Sequence, residues 1–428
     1  MSALKVAVIG GGSTYTPELV SGLSRERDRV EIGELVLHDI DAERREVVGG
    51  LAARMLERQG FDGRLAVTAD LDSALDGADV LLIQIRVGGQ SSRYSDETVP
   101  LACGCIGQET TGPGGFAKAM RTVPVVLDIA DRARRLAAPG AWIIDFTNPV
   151  GIVTRALLDA GHRAVGLCNV AIGVQREIAD ILDVEPGRIA VDQVGLNHLT
   201  WVRAARLDGR DVLPELLDDH AERLADQAYL PVELLRELRA IPSYYLRYFY
   251  EHDRVLAEQR EGLPRAERVA EIERELLDLY RDPALDSKPA LLEQRGGAYY
   301  SEAATALVVA LRTDSGQVQV VDGPNGDTLA GLAVDDVVEV PARIGRDGPV
   351  PMPQEPLEPE LLGLVQHVAA YERLTAEAAV SRDPKTARLA LLAHPLVGQW
   401  ELSGELLERL AAAEASGVPL PELKGARR

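Results

Sequence analysis

Cysteine is scarce in this chain of 428 residues: three occur, Cys103, Cys105 and Cys168. That is too few and too scattered for a disulfide framework, so a reducing cytoplasm is the expected setting. Aromatic residues make up only 4% of the chain, so any cluster of them stands out. Positive charge is also in deficit. The formal net charge of −21 argues against general binding to nucleic acid or to an anionic membrane, both of which need clustered cations. It leaves room for a small anionic substrate gripped by a few local arginines. No apolar run approaches the roughly 20 residues that span a bilayer. The N-terminus lacks the basic-then-apolar order of a signal peptide, because Lys5 leads straight into strand-like sequence and glycines.

What the chain does have is KVAVIGGGSTYTP at residues 5–17. An apolar-rich strand ends in Gly10-Gly11-Gly12-Ser13-Thr14, and a helix is expected to begin near Pro17. Such a turn exposes backbone N–H groups at the positive end of a helix, where a pyrophosphate can sit. About 30 residues on, LVLHDID gives a second strand tipped with Asp39 and Asp41, where a carboxylate can hold a ribose hydroxyl. Tyr15 occupies the third glycine position of the usual pattern, and the acid comes later than the usual ~20-residue spacing. The combination still points to a dinucleotide such as NAD, with Gly10, Gly12, Ser13, Thr14 and Asp39 as its contacts.

The first ~170 residues alternate short β-branched runs with amphipathic stretches. The strand segments are 5–10, 34–39, 65–70, 79–85, 141–146 and 164–169, as in a parallel sheet covered on both faces. Beyond ~172 the pattern becomes helix-rich. Residues 264–280 place Val269, Ile272, Leu276 and Tyr280 on one face behind Pro264. Residues 317–332 read as two strands around a Pro-Asn-Gly turn, 335–345 as another strand and 349–360 as a proline-rich connector. Residues 361–416 are mostly helical, and PELKGARR is a loose tail. The expected class is α/β: a Rossmann-like parallel-sheet domain over 1–172, then a helix-rich α+β domain over 173–428 that carries metal and substrate.

Several residues can carry chemistry. Cys168-Asn169 ends a strand at the edge where open α/β sheets bind ligands, and His198 lies in QVGLNHLTW. Singly, each is more often structural. Together, with an acid-free neighbourhood and a dinucleotide, they point to an open divalent-cation site completed by substrate oxygens. IPSYYLRYFYEHD (241–253) is the aromatic cluster. A tyrosine there can act as a base if a cation lowers its pKa, and the residues leave Tyr244 and Tyr245 both eligible. Arg93, Arg265 and Arg295 would form a phosphate clamp if they converge. GQETTGPGGFAKAMR (107–121) reads as a lid-like loop entering a helix, and Asn148 in DFTNPVG either shapes a turn or contacts cofactor or sugar.

These motifs together resemble glycoside hydrolase family 4, whose members use NAD and a divalent metal, and within it the 6-phospho-β-glucosidase branch. The resembling blocks run in order through most of the chain: VAVIGGGSTYTPELV, IRVGGQSSRYSDE, GCIGQETTGPGGFAKAMR, DFTNPVGIVT, GLCNVAIG, GLNHLTW, PSYYLRYFY, PRAERVAEIERELL, RGGAYYSEAA and ALLAHPLV. The resemblance implies a lactate/malate-dehydrogenase-like first domain, a homodimer or homotetramer, and ligation of manganese by Cys168 and His198. It implies Tyr245 as the base, with Tyr244 as the alternative, and Glu109 as an acid that increases the base's strength. Arg93, Asn148, Asn169 and Arg265 become substrate contacts. Asn169, where α-specific relatives carry an acid, favours the β branch, and Ala171 replaces a common proline. The implied reaction removes hydride from sugar carbon 3, takes a proton from carbon 2, eliminates the aglycone, adds water and returns the hydride. The lack of an obvious pair of catalytic carboxylates is then expected. A plain dehydrogenase of a hydroxy acid or sugar, and an NAD-binding sensor without turnover, are the competing readings.

Overall fold

In the computed structural model, residues 3–295 and 299–416 are described. Six parallel strands come first: β1 (Leu4–Ile9), β2 (Ile32–His38), β3 (Arg64–Thr68), β4 (Val80–Ile83), β5 (Trp142–Asp145) and β6 (Ala164–Gly166). They lie in the order β3-β2-β1-β4-β5-β6, the doubly wound dinucleotide-binding arrangement. All six coincide with strands expected from the sequence. The order reverses between β1 and β4, and ligand crevices open beyond the strand ends at such a switch point.

The sheet does not stop at β6. Seven later strands follow: β7 (Ile189–Leu196), β8 (Leu199–Leu207), β9 (Arg210–Asp211), β10 (Ile241–Pro242), β11 (Gln317–Pro324), β12 (Val337–Gly345) and β13 (Gly348–Pro351). They extend it antiparallel as β6-β11-β12-β7-β8-β10, with β13 beside β12 and β9 beside β8. Two expectations need correction here. The partner of β11 is β12, eight residue pairs long, and not a strand at 327–332. In 325–336 the chain instead makes turns tied by Asn325, whose side chain accepts from the Leu329 N–H and donates to the carbonyls of Leu329 and Ala333. The β7–β8 hairpin, which carries His198 at its turn, has no counterpart in the expected strand set.

The helix Arg265–Tyr280 forms where the sequence placed it. Its face Val269, Ile272, Leu276 and Tyr280 is buried. Ile272, Leu276 and Tyr280 pack with Tyr15, Val48, Leu51 and Met55 from the glycine turn and the helix Ala42–Gln59. The Tyr280 hydroxyl donates to the Thr14 carbonyl at 2.7 Å. This late helix thereby fixes the glycine turn. The C-terminal helices Pro359–Ser381, Pro384–Ala393 and Trp400–Ser416 match the helical expectation, whereas the tail 421–428 lies outside the described residues. No helix among the described residues is long and apolar enough to cross a membrane.

Leu276 is fully buried. Leu276→Ala is expected to lower unfolding stability by about 2–5 kcal/mol, as for other buried leucine truncations. The check is the midpoint of chemical denaturation.

Candidate active site

The glycine turn is held by geometry that only these residues allow. The N–H groups of Gly10 and Gly11 both donate to the His38 carbonyl at the end of β2, at 2.9 and 2.7 Å. Gly10 has φ +90°, and a Cβ there would stand 2.7 Å from the Gln84 carbonyl oxygen. A Cβ on Gly12 would stand 2.7 Å from Asp39 Oδ2. That oxygen accepts from the Gly12 N–H at 2.8 Å, and Oδ1 accepts from the Asp41 N–H at 3.0 Å. Two backbone donors thus fix the carboxylate at the strand tip, and each oxygen keeps a lone pair for a ligand. Gly10, Gly12, Ser13, Asp39 and Asp41 line a cavity of ≈ 620 Å³. Thr14 is not in its lining. Its hydroxyl accepts from Arg295 Nε at 2.7 Å, so it braces the site from behind. Glycines that admit close backbone approach, a pinned acid and this volume fit a dinucleotide.

The inner end of the same cavity is strongly charged. Arg86, Lys118, Arg295, Arg44 and Glu273 line it, together with Asn148 and Tyr300. Glu273 pairs with Arg44 and Arg295, each at 2.9 Å. Glu109 is buried and pairs with Arg86, with Lys118 at 2.7 Å and with Arg93 at 3.3 Å. Burial alone would raise its carboxyl, but Arg86, Arg93 and Lys118 overcome that and hold it well below the usual carboxylate range. Burial first, and Arg86 second, bring Lys118 down to about 8. None of Glu109's described contacts is to Tyr245; it acts electrostatically on His198.

The three expected arginines do reach one neighbourhood. Arg93 is buried, its Nε donating to Glu97 Oε1 at 2.8 Å, and it acts electrostatically on Arg295. Glu97 Oε2 accepts from the Ala266 N–H at 2.8 Å, at the start of the helix whose first residue is the exposed Arg265. The loop 107–111 is not an open lid. It is largely buried, with Gln108 Oε1 accepting from the N–H groups of Thr110 and Thr111. Part of RGGAYYSEAA, residues 296–298, lies outside the described residues.

Cys168 follows β6 and is buried. Its sulfur takes hydrogen bonds from the Val170 N–H and the Asn197 side chain. Burial, then Glu339 and Asp322, push its thiol well above the ordinary range. His198 occupies the tight turn between the paired Leu196 and Leu199, at φ +64°. Its Nδ1 is 3.1 Å from Thr110 Oγ1. Its ring stacks on Tyr245 with centroids 3.6 Å apart, and Tyr245 stacks on the half-exposed Tyr244 at 4.2 Å. Burial, with Lys118 acting in the same direction, takes His198 down to about 3. The imidazole is therefore neutral, as a metal ligand must be. Burial raises Tyr245 far above the usual phenol range, and Tyr244 and Cys168 act in the same direction.

Cys168 and His198 share neighbours: the Asn197 side chain reaches the thiol, and Tyr245, stacked on the imidazole, lies within electrostatic range of Cys168. Sulfur with imidazole suits a borderline divalent cation. A positive ion would relieve the burial and acidic neighbours that now hold the thiol protonated. Among the described residues no group of three or more His, Cys, Asp and Glu is placed to share an ion. The expected acid-free surroundings are corrected. Asp322 and Glu339, more than 150 residues away in sequence, flank Cys168 in space. Arg86, three residues past β4, could have been found from its place directly after the expected strand segment 79–85. Glu273 and Tyr300 lie within the blocks PRAERVAEIERELL and RGGAYYSEAA, which did not single them out, and nothing local in the sequence marks Asp322 or Glu339.

Burial also takes His394, beside the small pocket around His198, down to about 3. The unfolded chain binds a proton at this ring from about pH 6.5 downward, and the folded chain does not until about pH 3. Stability therefore falls as the pH drops through that window. The slope is about 1.4 kcal/mol per pH unit for one ring. His394→Gln is expected to flatten the fall by that amount, measured from unfolding at several pH values.

Residues 5–184 match the model of family 4 glycosyl hydrolases, and residues 193–397 match the model of the family 4 glycosyl hydrolase C-terminal domain. A probable 6-phospho-β-glucosidase of Bacillus subtilis is 40% identical over 97% of this chain and 97% of its own. The solved 6-phospho-β-glucosidase of Thermotoga maritima, with NAD and glucose-6-phosphate, superposes with TM-score 0.91. It is 34% identical, covering 98% of this chain and 100% of that one; another form of the same enzyme contains manganese as well. A lactate dehydrogenase of Cryptosporidium parvum, at 16% identity and TM-score 0.56 over 90% of this chain and all of that one, shares the fold. With both of its parts matched, the chain belongs to glycosyl hydrolase family 4.

Proposed function

We propose that this chain hydrolyses 6-phospho-β-glucosides, using NAD held by the segment 1–172 and a divalent cation, manganese foremost, held by Cys168 and His198. One observation carries the reading. Tyr300 lines the dinucleotide cavity, pairs with Asn148 and lies within electrostatic range of Cys168, which supports reading the cleft and the thiol–imidazole pair as one site. The relatives' names and the bound ligands of the Thermotoga maritima enzyme support the substrate class.

When bound, the nicotinamide accepts and returns a hydride, and the cation polarises the sugar ketone and acidifies its neighbouring C–H. The chain's own residues do the rest. Tyr245, held flat against a neutral His198, is the base at sugar carbon 2. Asn148, whose buried Oδ1 has no protein donor, is free to accept from a sugar hydroxyl, and Asn169 contacts the sugar at the start of the helix Val170–Leu182. Arg93 and Arg265, joined through Glu97, and the nearby Arg295 balance the phosphate charge. Glu109 offsets the cations around it and keeps the field near His198 and the base from becoming strongly positive. The three free thiols fit a reducing cytoplasm.

With nitrophenyl 6-phospho-β-glucoside, the expected products are nitrophenol and glucose 6-phosphate. Turnover should require catalytic NAD⁺ and Mn²⁺, and no NADH should accumulate. Steady NADH production without nitrophenol would establish a dehydrogenase instead. Tyr245→Phe should lower kcat by about 100-fold or more, the scale of a lost general base, with Mn²⁺ and NAD⁺ binding retained. Gly12→Ala should weaken NAD⁺ binding by about tenfold, the equivalent of one hydrogen bond, as titrated by quenching of protein fluorescence.

A further inference from the structure

Two buried carboxyl groups stand near the Cys168 thiol. Asp322 on β11 and Glu339 on β12 are directly opposed in the strand register, with 0% and 1% of their surfaces exposed. Asp322 also pairs with Gly166, two residues before Cys168, and Glu339 pairs with Gly195, three residues before His198. The two strands inserted between the ligand-bearing strands therefore each carry one acid into the gap. Glu339 is fully engaged: Oε1 accepts from Gln193 Nε2 at 2.5 Å, and Oε2 accepts from Asn197 Nδ2 at 2.8 Å. The Asn197 side chain is the same group that reaches the Cys168 sulfur. Asp322 is the reverse case. Neither of its oxygens receives a donor from the protein, and the group within hydrogen-bond reach is the Glu339 carboxyl.

Two buried carboxylates with no cation between them repel, and an acid with no donor cannot keep its charge away from water. A proton on Asp322 solves both problems, because its O–H can donate to Glu339. The remaining single charge is then placed where two amides already donate to it. From this geometry, and resting on the metal reading above, we infer that Asp322 and Glu339 form a one-proton carboxyl pair that positions Cys168 for a divalent cation through Asn197. Glu339 fixes the orientation of the Asn197 amide; Asp322, by staying neutral, keeps the pair's charge at one. Both carboxyl groups are raised, Glu339 to about 7, chiefly by burial. Besides Cys168, the other ionisable groups facing Asp322 are Glu372 and Asp145, and both are acids. Neither Asp322 nor Glu339 touches substrate in this scheme; both are positioning residues. In this scheme the pair keeps its proton when the cation binds.

The test is Mn²⁺ binding to the full chain by titration calorimetry, repeated in buffers of different ionisation enthalpy to count protons released. Glu339→Gln places an amide against two amide donors. It should weaken Mn²⁺ binding by about 10–100-fold, the usual cost of losing an outer partner of a ligand, while NAD⁺ affinity stays within threefold of about the wild-type value. Asp322→Asn keeps a neutral donor toward Glu339, so it should bind Mn²⁺ within about threefold of wild type and release the same number of protons, about one. Asp322→Ala should behave like Glu339→Gln. Wild-type affinity in Glu339→Gln, or one proton fewer released by Asp322→Asn than by wild type, overturns the inference while the metal centre stands. If wild type itself shows no Mn²⁺ binding, or if Cys168→Ser leaves it unchanged, the metal reading falls and this inference with it. Should Glu339→Gln fail to fold, Asn197→Ala takes its place with the same expected loss of Mn²⁺ affinity, and unaltered binding there is equally fatal.

Discussion

The joint between β6 and β11 is the constraint on which the site depends. A dinucleotide-binding sheet could end at its sixth strand. Here β6 pairs on its far side with an antiparallel strand that arrives 150 residues later, through Gly166 opposite Asp322. A Cβ at Gly166 would stand 2.8 Å from the Asp322 Cβ and 2.3 Å from Thr154 Oγ1, so glycine is what lets the strands meet. Through that joint the parallel half, which carries the glycine turn, and the antiparallel half, which carries His198, become one continuous sheet. Cys168 lies just past the end of β6, and His198 sits in the β7–β8 turn.

Electrostatics then divides the site into two zones. At the cavity's inner end, cations dominate: Arg86, Lys118, Arg44 and Arg295 are balanced only in part by Glu109 and Glu273. Around the thiol, acids dominate and no cation side chain pairs with them among the described residues. In a protein of net charge −21, the first zone is a local reversal of sign suited to anionic groups. The second suits a positive ion. Neither zone stabilises the fold cheaply, because buried charges are costly even when paired. Such clusters of buried charge are characteristic of functional sites.

The aromatic segment shows how a local motif acquires its role from its surroundings. Tyr244, Tyr245 and Tyr248 share one short 3₁₀ and helical turn. Sequence left Tyr244 and Tyr245 equivalent by type. The fold separates them: Tyr245 lies face to face with His198, whereas Tyr244 covers it from outside with part of its ring exposed. The difference is one of stacking order, fixed by where the β7–β8 turn places the imidazole.

What the sequence determined by itself was everything written in local pattern. The six parallel strands, the glycine turn and the apolar face of residues 265–280 follow from periodicity and from backbone positions that exclude a Cβ. The family-specific blocks marked Cys168, His198 and Tyr245, because motifs survive as contiguous residues. The tertiary structure decided the pairing of β11 with β12 rather than with its neighbour in sequence, and the burial of the 107–111 loop. It also decided the arrival of Glu273 and Tyr300 in the cavity and the placing of Asp322 and Glu339 beside a thiol that looked free of acids. A carboxylate's charge state and partners depend on which groups come within a few ångströms in space, and long-range strand pairing, not sequence spacing, sets that distance.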